Sequence, residues 1–113
     1  MLSRMPVKGK RSIVSRSLSY ELAFLDDALK EWRRLDAPVR DQFKAKLSER
    51  LRDPEIPSAR LHGAKERYKI KLRSAGFRLV YEVRDRDLIV LVVAVGKRER
   101  NEVYRIAARR TAE

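Results

Sequence analysis

Apolar and polar positions change period several times along this chain, and each change marks an element. From Tyr20 to Phe24 the two alternate, with Tyr20, Leu22 and Phe24 separated by Glu21 and Ala23. That spacing predicts a short strand with one apolar face. The period then becomes helical: Leu25, Ala28, Leu29, Trp32 and Leu35 form one stripe, with Trp32 as a core anchor. Asp36-Ala37-Pro38 reads as a stop and restart, with Asp36 at an N-cap and Pro38 in a first turn. Val39, Phe43, Leu47 and Leu51 recur every fourth residue and predict a second amphipathic helix. Asp53-Pro54 and Ile56-Pro57 end it, because a residue before proline is pushed out of the helical region. The joint between the helices is short, so they should pack as an antiparallel hairpin.

After the loop Arg60-Leu61-His62-Gly63 the period drops to two. Tyr68, Ile70 and Leu72 alternate with Lys69, Lys71 and Arg73, giving a strand with an apolar face and a cationic one. Ser74-Ala75-Gly76 makes a hairpin connection. The return strand sets Phe77, Leu79, Tyr81 and Val83 on one face and Arg78, Val80 and Glu82 on the other. Arg84-Asp85-Arg86-Asp87 is a polar turn. Leu88 to Val95 is unbroken apolar sequence, as expected of a central strand buried on both faces. Gly96 punctuates it, and Val103, Ile106 and Ala107 predict a C-terminal helix. The expected fold is α+β, in the order β-α-α-β-β-β-α: an antiparallel sheet with the N-terminal helical hairpin packed on one face. Residues 20–113 form one domain on this reading. The Arg/Ser-rich, acid-free segment 1–19 is expected to be a poorly ordered basic leader, with Leu18 a candidate alternative start of translation.

Composition narrows the chemistry. The 113 residues contain no cysteine and one histidine, His62. Disulfides, thiol nucleophiles, cysteine-bound metals and paired-histidine catalysis are therefore excluded within one chain. No apolar run approaches the ~18 residues of a membrane-spanning helix, so no membrane partner is expected. Lysine and arginine number 28 against 16 acidic residues, a net charge of +12. The excess is segregated: residues 20–66 carry ten charges of each sign, whereas residues 67–113 carry thirteen basic and six acidic groups. A neutral half followed by a basic half points to one surface that faces a polyanion.

Lys69 and Lys71 project from the same side of one strand, about 6.5–7 Å apart. The hairpin brings Arg78 beside them, and Lys97, Arg98, Arg100 and Tyr104 follow the central strand. Crowded cations without a carboxylate depress one another's pKa and favour a bound phosphate. Two readings stay open on this pattern alone. One is a phosphate-binding patch. The other is an RNA-cleaving site, in which a lysine takes the 2′-hydroxyl proton, arginines stabilise the phosphorane and a tyrosine stacks on a base. Other features are weaker: Glu99 and Glu102 suit a helix start, Asp85 and Asp87 suit a turn, and neither Gly63 nor Gly76 belongs to a phosphate-cradling loop. His62 suits a solvated loop position as well as a phosphate contact.

At these residues the chain resembles a known family. Ala28-Leu29-Lys30-Glu31-Trp32, Tyr68-Lys69-Ile70-Lys71-Leu72-Arg73, Gly76-Phe77-Arg78-Leu79-Val80-Tyr81 and Gly96 to Tyr104 are similar to the RelE toxins of bacterial toxin–antitoxin pairs. The likeness spans about Tyr20 to Arg109. It implies a cytoplasmic, ribosome-dependent endoribonuclease that cuts mRNA in the A site without a metal or other cofactor. By position, it implies Lys71 as general base, Arg98 as general acid, Lys69 and Arg78 as transition-state stabilisers, and Tyr104 as the residue that stacks on the codon. Arg67, Arg73, Lys97, Arg100 and His62 are the expected RNA- and ribosome-binding residues. The implied partners are a RelB-like antitoxin, which can displace the C-terminal helix, the 70S ribosome and its mRNA, and DNA only through the antitoxin complex. His62 stands where many members have arginine, and the basic leader has no counterpart in short members. The related ParE toxins share the fold but inhibit DNA gyrase and typically lack this Lys/Arg/Tyr set. Gyrase inhibition and non-catalytic RNA binding are the alternative functions.

Overall fold

The computed structural model describes residues 19–63 and 66–110. The expected leader therefore lies outside the described residues except for Ser19, and so does its candidate start at Leu18. The elements run β1 (Glu21–Phe24), α1 (Asp26–Arg33), α2 (Ala37–Arg52), β2 (Arg67–Leu72), β3 (Phe77–Arg84), β4 (Ile89–Lys97) and α3 (Glu102–Arg109). This is the order expected from the hydrophobic periods.

Local chemistry sets the helix ends. α1 opens with Asp26 and Asp27 and closes with Lys30 and Arg33, so charge complements its dipole at both ends. Asp36 occupies the N-cap of α2 with extended backbone, but its carboxylate makes no capping hydrogen bond. The restart rests instead on proline in the first turn and on Arg40, which donates to the Leu35 carbonyl at 2.6 Å.

Among the described residues the sheet has four strands in the order β1-β4-β3-β2. β2, β3 and β4 are mutually antiparallel, whereas β1 runs parallel to β4. The sheet is thus mixed, which corrects the wholly antiparallel expectation. Alternation fixes which face a residue occupies and is blind to strand direction. β4 is central, as its apolar run predicts, although Leu88 lies outside it in a left-handed turn (φ 55) and is exposed. β1 departs from its pattern too. Phe24 packs on Trp32 with ring centroids 5.2 Å apart, and Tyr20 donates its N–H to the Leu51 carbonyl at 2.8 Å. Leu22, between them on this edge strand, remains 39% exposed.

The two sheet faces bury different layers. Ala28, Trp32, Phe43 and Leu47 of the helical hairpin pack on Ile70, Leu79, Tyr81, Val90 and Val92. On the opposite face Val103 and Ala107 of α3 pack on Val80, Val93 and Ala94. A bulge makes this possible. Val80 pairs with Ala94 but Tyr81 pairs with Val92, so Val93 is an extra residue and shares a face with its neighbour Ala94. Gly96 then falls beneath α3, where an added Cβ would stand 3.4 Å from Val103.

Tyr81 ties the sheet to the end of α2. Its ring stacks on Tyr68, with centroids 5.6 Å apart, and its buried hydroxyl donates to the Pro54 carbonyl at 2.6 Å while accepting from Arg50 at 2.8 Å. Tyr81→Phe is expected to destabilise the fold by about 1–3 kcal/mol, because the Pro54 carbonyl loses its donor and Arg50 keeps only its bond to the Lys69 carbonyl. Chemical denaturation would measure it, and a loss below a few tenths would show that water takes over both bonds.

Candidate functional site

Strand alternation places Lys69 and Lys71 on the face away from the helical hairpin. The β2–β3 register sets Lys71 opposite Arg78, Lys69 opposite Val80 and Arg67 opposite Glu82. Directly opposed like charges repel, with Cβ atoms about 4.5–5.5 Å apart. The connecting turn needs Gly76, whose φ is +74, a conformation that costs a side-chain-bearing residue about 1–2 kcal/mol. Gly76 also anchors the segment after β4, since its carbonyl accepts the Arg98 N–H at 2.7 Å. That bond brings the Lys97–Asn101 loop to the hairpin carrying Lys71 and Arg78. The loop enters α3 through two consecutive left-handed residues, Arg100 (φ 48) and Asn101 (φ 61). Non-glycine residues held there store strain, a common feature of functional sites.

These elements close around a cavity of about 170 Å³ whose wall includes Lys71, Arg78, Lys97, Arg98, Arg100 and Tyr104. Loss of solvation, followed by the charges of Lys69, Arg73 and Arg78, holds the Lys71 ammonium below its ordinary pKa. The Tyr104 hydroxyl is buried without a hydrogen-bond partner, and burial raises its pKa while the neighbouring Arg78 cation opposes the rise. Among the described residues no ion pair neutralises Lys71, Arg78 or Arg98. Glu102, at the cavity rim, is paired with Arg105 at 2.8 Å. The arrangement offers a lysine inclined to give up its proton, guanidinium-bearing residues on the cavity wall and an aromatic ring beside Arg78. It suits a phosphodiester undergoing proton transfer.

The structure separates the remaining expected site residues. Lys69 flanks Lys71 and also lines a second, open groove of about 600 Å³, together with Ser58, Leu61, His62 and Gly63. His62 therefore sits beside the cavity rather than in it. Arg73 lies in the turn next to Lys71. Arg67 does not join the cluster. Its guanidinium donates to Glu82 at 3.0 Å, to the Ala107 carbonyl at 2.5 Å and to the Arg110 carbonyl at 2.9 Å. It is a clamp on the end of α3, on the covered part of the face whose open part carries Lys71. Asp85 accepts from the Tyr20 hydroxyl at 2.6 Å, which pushes Tyr20 up to about 12 and leaves this aspartate a structural role. Among the described residues no cluster of three or more histidines or carboxylates is placed to hold a metal, and no helix is long and apolar enough to cross a membrane.

One contact had little warning in the sequence. Glu31 forms a two-pronged pair with Arg110, with distances of 3.0 and 2.8 Å. The available hint was the position of a carboxylate next to Trp32, on the flank of an otherwise apolar stripe.

The family described as the ParE toxin of type II toxin–antitoxin systems, parDE, matches residues 22–102. The mRNA interferase toxin RelE of Escherichia coli strain K12 is 53% identical over 93 residues, covering 82% of this chain and 98% of that protein. Among solved structures, an arginine-to-alanine double variant of E. coli RelE in the free state aligns with a TM-score of 0.77 at 50% identity, over 83% of this chain and 99% of the other. The intact E. coli RelBE toxin–antitoxin complex aligns with a TM-score of 0.70 at 52% identity, over 73% of this chain and 100% of the matched chain.

Proposed function

The chain belongs to the RelE/ParE family of toxins from type II toxin–antitoxin systems, and from that premise we propose that it is a ribosome-dependent endoribonuclease that cleaves mRNA in the A site. One observation carries the chemistry: Lys71, Arg78, Arg98 and Tyr104 line a single cavity, where lost solvation and then neighbouring cations hold the lysine below its ordinary pKa.

In the proposed reaction the RNA 2′-oxygen attacks the adjacent phosphorus and its proton passes to the Lys71 amine. Arg78, with Lys69 beside it, compensates the charge that grows on the phosphorane. The bond from phosphorus to the 5′-oxygen breaks, Arg98 as general acid supplies the proton that this oxygen takes up, and the products are a 2′,3′-cyclic phosphate and a 5′-hydroxyl. Tyr104 stacks on a codon base and holds the 2′-oxygen in line. The ribosome's part is to present the codon in that geometry, since orientation alone supplies a large share of such a rate. Lys97 and Arg100 line the cavity, Arg73 lies in the turn beside Lys71, and all three suit contacts to flanking phosphates, with His62 reaching the same RNA from its own groove. The protein partner is a RelB-like antitoxin, by the likeness to the RelBE complex, and DNA is met only through that complex.

The test is to add the protein to ribosomes translating a defined message, with a ribosome-free reaction beside it, and to map the 5′ ends. Cuts confined to the A-site codon and dependent on the ribosome support the proposal. Intact message would overturn it. The ParE description of the matching family makes gyrase the next target in that event, read as inhibited supercoiling. Tyr104→Ala should slow cleavage by about five- to 150-fold, corresponding to one lost stacking contact of roughly 1–3 kcal/mol. Ribosome affinity should stay within twofold of the parent. An equal fall in affinity would make Tyr104 a docking residue.

A further inference from the structure

β4 outruns its edge neighbour. β1 pairs only with Ile89 to Val92, while β4 continues to Lys97. Beyond Val92 this edge of β4 presents backbone groups that need partners, as any interrupted sheet edge does. Two side chains take the place of the missing strand. The Val95 N–H donates to Glu31 Oε1 at 3.1 Å, and Arg110 Nη1 donates to the Val93 carbonyl at 2.8 Å. The same two residues join each other through both prongs of the guanidinium. Glu31 belongs to α1, on one face of the sheet, and Arg110 directly follows α3, on the other. The pair therefore reaches around the edge and fastens the two layers together.

α3 depends on such fastening. It is eight residues long, far below the length at which a helix holds itself in water. Val103 and Ala107 pack on the sheet, and Arg67 grips the last carbonyls. The Glu31–Arg110 pair completes the hold at the C-terminal end. Tyr104, in the first turn of this helix, lies in the cavity wall.

We propose that Glu31 and Arg110 form an edge clasp that positions Tyr104, making Glu31 a positioning residue for RNA cleavage, a role that rests on the function proposed above. Loosening the clasp lets α3 ride off the sheet. Tyr104 then samples orientations in which the 2′-oxygen is out of line with the leaving oxygen. Lys71, Arg78 and Lys69 stay in place, because strands hold them.

The experiment is single-turnover cleavage on programmed ribosomes as a function of toxin concentration, paired with amide hydrogen exchange on the free protein. Glu31→Ala should lower the maximal rate about tenfold or more, with the half-saturating concentration unchanged within twofold. Glu31→Gln, which keeps an acceptor for the Val95 N–H, should recover part of the rate. In a Tyr104→Ala background the same Glu31→Ala change should cost nothing further. Multiplied losses in that double variant, or a rate loss matched by a rise in the half-saturating concentration, would overturn the positioning role. Amides of α3 should exchange faster in Glu31→Ala while those of β3 do not; unchanged α3 exchange would refute the clasp itself. If Glu31→Ala does not fold, Arg110→Lys, which retains one prong, replaces it in every arm. A parent protein inert on ribosomes would count against the RNA-cleaving function, and the exchange data alone would then decide whether the clasp exists.

Discussion

Lys71→Ala should reduce A-site cleavage by about 10²–10⁴-fold, the range lost when a positioned general base is removed. Ordinary lysine is a poor base at neutral pH because almost none of it is unprotonated. Lys71 differs through its setting: desolvation and the charges of Lys69, Arg73 and Arg78 all favour the neutral amine. The sign of the pH dependence follows. Only the neutral form accepts the 2′-proton, so the cleavage rate should rise with pH below the Lys71 pKa and level off above it. Weakening the crowding shifts that profile. Arg73→Ala should move the rise toward higher pH, because one repelling charge is gone. The thermal midpoint of Lys71→Ala should be unchanged or slightly raised, since an exposed and repelled ammonium adds no stability to the fold. Wild-type cleavage by Lys71→Ala, or a flat pH profile in the parent, would leave the lysine without a chemical role.

Arg98→Ala is expected to be nearly as damaging, at about 10²–10³-fold, which is typical for deleting one fixed donor aimed at developing charge. Its backbone N–H is pinned to the Gly76 carbonyl, so the arginine starts from a fixed point on the cavity wall. A guanidinium is a weak acid, so it can protonate the 5′-oxygen only once substantial negative charge has accumulated there. A substrate with sulfur at the bridging 5′ position separates the possibilities, because a thiolate leaves without needing a proton. Cleavage of that substrate by Arg98→Ala should return to within about tenfold of the parent, whereas Lys71→Ala should stay impaired. If sulfur brings no recovery, Arg98 acts on the phosphorane rather than on the leaving oxygen.

Alternation along β2 puts Lys71 on the cationic face, whereas Arg98, in the loop after β4, is reached only through the family resemblance. Tyr68, Ile70 and Leu72 are all buried, as the two-residue period requires. What the pattern did not distinguish was one cation on that face from another. Arg67 shares the side of Lys69 and Lys71, yet α3 covers its end of the strand and turns it into a clamp. That outcome depends on where a later helix lands, which no local period encodes. The Glu31–Arg110 pair was hidden for the same reason, its members being 79 residues apart in sequence. The direction of β1 was equally out of reach, because an alternating pattern reads the same in both directions. The bulge at Val93 was illegible for a different reason: in a run where every residue is apolar, an extra one breaks no pattern.

That extra residue has a consequence for how the strand can change. Up to Val92, even-numbered positions face the helical hairpin; after Val93 the parity inverts, so that Val95 faces the hairpin and Gly96 lies under α3. Deleting any one residue between Val93 and Val95 would restore strict alternation and leave only one of the two neighbours, Val93 and Ala94, that now face α3 together. α3 would lose part of its seat although every remaining residue was of the right kind. Exchange among valine, isoleucine and leucine leaves that phase untouched. What β4 must preserve is its residue count, and drift in this family member should therefore run through substitutions along the strand while insertions and deletions are confined to the loops at its ends.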